Sequence, residues 1–138
     1  MKQQILIISD EPTSESLRCA LAERGFEVML TEDANDGYRQ IQDVRFDLVL
    51  VNLERAITGA GLIKRIRSHR SLDQLRVMTV AEWGTGQATM ALAQGVDAFE
   101  PKPVETGHLV QAIERLLQPV PMTAWAGTPN RDLEDLQS

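Results

Sequence analysis

The run Asp47-Leu48-Val49-Leu50-Val51-Asn52 decides the fold. Its apolar residues follow one another without alternation, and a run this short and rich in branched side chains is a strand buried on both faces. Such strands belong to parallel sheets that carry helices on either side. The run ends on a single polar side chain, Asn52. In an open parallel sheet, ligands gather just beyond the carboxyl ends of the strands, so position 52 is presented to whatever the fold holds. An aspartate there would be a nucleophile or a metal ligand. The amide of Asn52 is neutral and a poor nucleophile.

The same signature recurs on both sides of that strand. Upstream, Ile5-Leu6-Ile7-Ile8 is a buried strand that breaks at Ser9-Asp10-Glu11-Pro12. Pro12, Thr13 and Ser14 open a helix with Leu17, Ala20 and Leu21 on one face, and Gly25 caps its end. Phe26-Glu27-Val28-Met29-Leu30 alternates as a strand, and Ala34, Tyr38 and Ile41 recur at helical spacing after it. Downstream of Asn52, Glu54 to Gly61 reads as loop. A helix over Leu62–Arg67 follows, with Arg67, His69 and Arg70 as a basic last turn that suits the helix dipole. Arg76 to Val80 is a fourth strand and Glu82 to Gly86 a loop. An Ala-rich helix over Gln87–Gln94 ends at Gly95, and Val96-Asp97-Ala98-Phe99 is a fifth strand. The last helix, Glu105 to Gln118, lines up Leu109, Val110, Ile113, Leu116 and Leu117.

Strands alternating with helices across short loops predict an α/β, flavodoxin-like (βα)5 fold. The expected sheet has five parallel strands in the order 2-1-3-4-5, with helices on both faces. Residues 1–118 make up this domain. Residues 119–138, with Pro119, Pro121, Gly127 and Pro129, read as a linker-like tail.

Composition narrows the function classes. A chain of 138 residues with net charge -6 is one domain and lacks the electrostatic footprint of a nucleic-acid binder. Its apolar runs are strand-length, so none spans a membrane, and the first is too short for a signal peptide. The single cysteine, Cys19, excludes an internal disulfide and fits a cytoplasmic location. Its neighbours Leu17, Ala20 and Leu21 predict a buried, unreactive thiol.

The predicted strand order gathers Asp10, Asn52, Val80 and Lys102 around one crevice. Mg²⁺ prefers oxygen ligands and one or two carboxylates. Only Asp10 and its neighbour Glu11 supply them, so the expectation is no cofactor, or Mg²⁺ held weakly through Asp10. Beside a neutral Asn52, Lys102 is expected to pair with Asp10, alone or together with the Asn52 carbonyl. A helix-capping role for Asp10 is the structural alternative.

With these residues in place, a family resemblance emerges. Ile5-Leu6-Ile7-Ile8-Ser9-Asp10-Glu11-Pro12 resembles the first strand and acidic loop of the response-regulator receiver domain of two-component signalling. Asp47 to Glu54 resembles its phosphoacceptor strand. Ala91-Leu92-Ala93-Gln94-Gly95-Val96-Asp97-Ala98-Phe99-Glu100-Pro101-Lys102-Pro103 is similar to the family segment Ala-Leu-x-x-Gly-Ala-x-x-Tyr-Leu-x-Lys-Pro. The likeness runs almost without gaps from Ile5 to about Leu117. It implies that Lys102 is the family's site lysine and that the bond before Pro103 is cis.

The departures from the family pattern fall on its chemistry. The first acidic position of the loop is Ser9. The phosphoacceptor position is Asn52, and the Thr/Ser position falls on Val80, with Thr79 one register away. The aromatic switch position is Phe99, which keeps the ring and loses the hydroxyl. Arg55-Ala56 and Ala60 replace the Met-Pro and Gly that follow the acceptor. The resemblance with these losses implies a pseudo-receiver: a signalling module, not an enzyme, that acts by protein–protein contact without aspartyl phosphorylation. Its partner would be a histidine kinase, a response regulator or an effector. The family's output surface maps to Gln87–Gln94, Val96–Phe99 and Glu105–Gln118, with Trp83, Phe99 and His108 as contact candidates and a homodimer through the same surface as a further option. Two other readings compete. One is a conventional phosphorelay receiver that uses Glu11 or Glu54 as acceptor, or in which Asn52 replaces a native aspartate. The other is a small-molecule domain of flavodoxin-like fold, against which stands the absence of glycine from Ser9-Asp10-Glu11-Pro12.

Overall fold

The computed structural model describes residues 2–12, 14–52, 56–72, 74–82 and 95–118. In chain order these form β1 (Gln4–Ser9), α1 (Ser14–Glu23), β2 (Glu27–Thr31), α2 (Ala34–Asp43), β3 (Leu48–Asn52), α3 (Ala56–Arg67), a 3₁₀ turn (Arg70–Leu72), β4 (Arg76–Glu82), β5 (Ala98–Lys102) and α4 (Thr106–Leu117). The strands pair in parallel in the order β2-β1-β3-β4-β5, as the sequence predicts. The expected helix over Gln87–Gln94, Trp83 and the linker-like tail over 119–138 lie outside the described residues.

Strand alternation divides the core into two layers. Ile5, Ile7, Leu48, Leu50, Met78 and Val80 face Leu17 and Leu21 of α1 and Leu109, Val110 and Ile113 of α4. Leu6, Ile8, Val49, Val51 and Val77 face Ile41 of α2 and Leu62, Ile63 and Ile66 of α3. Every residue of β3 is buried, because the central strand has a helical layer on each side. Each large side chain buried this way contributes about 1.5–3 kcal/mol of transfer free energy.

Local chemistry fixes where the elements start and stop. Gly25 ends α1 at φ +97°. Its N–H bonds the Ala22 carbonyl at 3.0 Å while the Phe26 N–H bonds that of Leu21 at 3.2 Å, the paired pattern of a left-handed helix cap. Asp47 Oδ2 accepts the Gln4 N–H at 2.8 Å, and Asp97 Oδ2 accepts the Val77 N–H at 2.7 Å. These carboxylates satisfy amides at the starts of the inner strands. On the α2 side, a Cβ added to Gly37 would lie 2.5 Å from Ile8 Cδ1, so the missing side chain is what lets the helix approach the sheet.

Four sequence expectations need correction. The segment read as loop up to Gly61 is helical from Ala56; packing of Leu62, Ile63 and Ile66 on the sheet outweighs the poor helix propensity of Gly59 and Gly61. The same helix stops at Arg67, and Arg70 belongs to the 3₁₀ turn. The fifth strand begins at Ala98 and continues through Pro101 to Lys102. It lies at the sheet edge, where a proline without an N–H does no harm. Cys19 is exposed, since two residues along a helix from the buried Leu17 point to the opposite side.

Candidate functional site

The carboxyl ends of β1, β3, β4 and β5 open onto a cleft of about 820 Å³. Its lining combines polar groups (Glu11, Ser14, Asn52, Lys102, Thr106) with apolar ones (Leu17, Val80, Val104, Leu109). Register explains the gathering. Ser9 is paired with Asn52 across β1 and β3. Val51 is paired with Thr79, so Val80 shares the sheet face of Asn52 while Thr79 takes the other face. Thr79 turns its hydroxyl to the Val51 carbonyl at 3.0 Å. The floor of the cleft at this point is therefore a buried valine.

The polar centre is the Glu11 carboxylate. Lys102 Nζ bonds to its Oε2, and Asn52 Nδ2 donates to its Oε1 at 3.3 Å. The expected partner of Lys102 was Asp10; it is Glu11, one residue on. Asp10 is exposed at the end of β1, whereas Glu11 is half-buried and has a side chain one methylene longer, which reaches the lysine. The Lys102 ammonium bonded to it holds the Glu11 carboxyl below the ordinary glutamate range. Partial burial opposes that effect, and the Asn52 amide adds to it.

The surrounding residues brace this centre. Ser9 Oγ accepts the Glu11 N–H at 3.2 Å and the Ser14 hydroxyl at 2.5 Å. Ser9 thus shapes the β1–α1 loop where the family pattern would place an acid. The Lys102–Pro103 peptide is cis, as the resemblance implies. Asn52 is 8% exposed, and its Oδ1 has no hydrogen-bond partner among the described residues. The amide orientation has a clear cause: a turned amide would point its oxygen at the Glu11 carboxylate.

The donor set fits Mg²⁺ poorly. Among the described residues no three acidic, imidazole or thiol groups converge as a metal site. Of the two carboxylates that line the cleft, Glu11 already holds an ammonium and Glu105 is exposed on the rim, and the end of β3 offers an amide in place of another.

The remaining candidates lie apart. Phe99 is half-buried on β5, opposite Thr79. His108 is exposed on α4, with Nε2 2.9 Å from Glu100 Oε1. Sequence reasoning missed Ser14 and Leu109. The signal for both was present: each sits on the inward face of a helix flanking the cleft.

Residues 5–114 match the profile of the response regulator receiver domain. Among curated proteins, the chain is similar to the DNA-binding response regulator MtrA of Mycolicibacterium smegmatis, with 27% identity over 120 residues. That match covers 86% of this chain and 52% of MtrA. The chain spans about half the length of the curated relatives it matches. Among solved structures, it is similar to a putative response regulator from Chloroflexus aurantiacus, with a TM-score of 0.76 and 26% identity, covering 85% of this chain and 98% of that one. It also shares the fold of the receiver domain of a sensor histidine kinase from Pseudomonas aeruginosa, which holds a magnesium ion in its active-site cleft. That likeness has a TM-score of 0.71 at 20% identity and covers 83% and 97% of the two chains.

Proposed function

The chain belongs to the response regulator receiver family, and on that premise we propose that it is a receiver that signals by protein–protein contact without aspartyl phosphorylation. One observation carries the reading. The position that would hold a nucleophilic carboxylate at the end of β3 holds an amide, and that amide is used as a donor to Glu11. Phosphoryl transfer to a receiver needs a carboxylate oxygen to attack phosphorus, and an amide is a poor nucleophile. The changes at Ser9 and Val80 point the same way. One removes an acid that would share a cation; the other removes a hydroxyl that would bond a phosphoryl oxygen.

Magnesium would be held weakly, through Asp10, and Glu11 could join only by giving up Lys102. When bound it would neutralise phosphoryl charge. The residues of the chain carry the structural work instead. Lys102 and Asn52 hold Glu11, and Glu11 ties the β1–α1 loop to the ends of β3 and β5. The docking surface we assign comprises β5 with Phe99 and α4 with His108; Trp83, the third candidate from the sequence, lies outside the described residues. The partner is a histidine kinase, another response regulator or an effector, and a second copy of the chain could use the same face.

The test is direct. The protein is incubated with acetyl phosphate and Mg²⁺ and its intact mass recorded, with beryllofluoride titration followed by amide chemical shifts. Unchanged mass and unchanged shifts at the Asn52 strand are expected. A stoichiometric phosphoryl adduct on any residue overturns the proposal.

A further inference from the structure

Two hydrogen-bond donors from different strands converge on one carboxylate that the chain itself supplies. Lys102 reaches Glu11 from the end of β5 and Asn52 reaches it from the end of β3. Glu11 sits on the loop between β1 and α1, beside an open cleft of about 820 Å³ that is also lined by the hydroxyl residues Ser14 and Thr106. We propose that Glu11 is the built-in occupant of an oxyanion site, a tethered carboxylate that keeps small external oxyanions out. This rests on the reading above, in which the cleft does no phosphoryl chemistry.

An ammonium and an amide N–H left facing each other without an acceptor would lose charge-assisted hydrogen bonds, each worth roughly twice a neutral one. Glu11 prevents this, and because it is covalently attached it competes at a high effective concentration. Its backbone is held as well, through the Ser9 hydroxyl that accepts the Glu11 N–H. The carboxylate also selects the orientation of Asn52, since only the donor side of the amide can face it. Without Glu11, the same ammonium and amide would point into solvent within the cleft. The group that fits them is a compact oxyanion with at least two acceptor oxygens, of the inorganic phosphate class. Glu105, exposed on the cleft rim, is the one further acid among the described lining residues and opposes that anion.

The experiment titrates inorganic phosphate, without Mg²⁺, into the wild-type chain, Glu11→Gln and Glu11→Ala. Binding is read by calorimetry and by the side-chain amide signal of Asn52. Both variants should bind phosphate at least tenfold more tightly than wild type, and Lys102→Ala in the Glu11→Gln background should abolish the gain. Glu23→Gln, which removes the same charge from an exposed position on α1, should leave binding at the wild-type level. Equal binding by wild type and both Glu11 variants overturns the proposal, as does an equal gain in Glu23→Gln. Circular dichroism confirms that each variant is folded, and the paired Gln and Ala variants guard against loss of either one. Intact mass recorded on the same samples separates the two ideas. A covalent adduct refutes the phosphorylation-independent reading, whereas absent reversible binding in the Glu11 variants refutes only the oxyanion site.

Discussion

Replacing Asn52 by aspartate restores the residue a phosphorylatable receiver would carry, and the present geometry makes that change unfavourable. The amide nitrogen lies 3.3 Å from Glu11 Oε1. Two full charges at that separation repel by about 5 kcal/mol at an effective dielectric of about 20. Lys102, on the other oxygen of Glu11, offsets part of this. Loss of the amide-to-carboxylate bond removes about 1.5–3 kcal/mol more, part of which relaxation of the half-buried Glu11 side chain recovers. Asn52→Asp should therefore destabilise the fold by about 2–4 kcal/mol at pH 7, a large share of the 5–15 kcal/mol typical of a domain.

The pH dependence has a definite sign. The neighbouring carboxylate raises the new aspartate's pKa in the folded state above its unfolded value of about 3.9. The folded variant then binds more protons than the unfolded chain, so the penalty is full above the folded pKa and shrinks as pH falls towards about 4. Urea unfolding of wild type and variant from pH 4.5 to 8 measures the difference. Added Mg²⁺ should narrow it, by bridging the two carboxylates. A variant as stable as wild type at pH 7, with a difference that does not change with pH, would refute the assigned contact between positions 52 and 11.

Two further expectations concern wild-type stability. Lys102 lowers the pKa of Glu11 in the folded state, so that contribution to stability is present above the unfolded value, near 4.5, and is lost as pH falls through the folded one; Glu11→Gln should flatten this part of the acid limb in urea midpoints taken from pH 2 to 7. Gly37→Ala should lower the melting temperature by about 5 °C or more, because the added methyl would meet Ile8 Cδ1 and Cγ1 at 2.5 and 2.8 Å. Overpacking of about 1–3 kcal/mol exceeds the helix-propensity gain of about 1 kcal/mol, and a rise in melting temperature would show that Ile8 yields.

The fold was legible in the sequence because its strands are continuous apolar runs whose reading needs no long-range information. Order and handedness then followed from general rules of parallel sheets. The misread start of α3 shows the limit: Gly59 and Gly61 look like a loop until Leu62, Ile63 and Ile66 find the sheet. At the site, the sequence placed Asn52, Val80 and Lys102 correctly around one crevice but chose the wrong acid. Asp10 and Glu11 are adjacent, and only the three-dimensional path of the loop after Ser9 decides which of them turns inward. Side-chain reach of this kind leaves no trace in spacing.

The attachment of β5 has a consequence for how the chain can change. Arg67 at the end of α3 bonds the Gly95 carbonyl, the Leu75 carbonyl and the Asp97 carboxylate at 2.9, 3.0 and 2.6 Å. Asp97 in turn holds the start of β4 through the Val77 N–H. The last strand is thus hung from a helix whose contacting arginine, Arg67, precedes Asp97 by 30 residues. The start of β4 and the start of β5 are thus moored together, on Arg67 and Asp97. One guanidinium is a clasp for two strands at their amino ends, so side chains at the carboxyl ends, around the cleft, can be exchanged without loss of the alignment of β5 on β4.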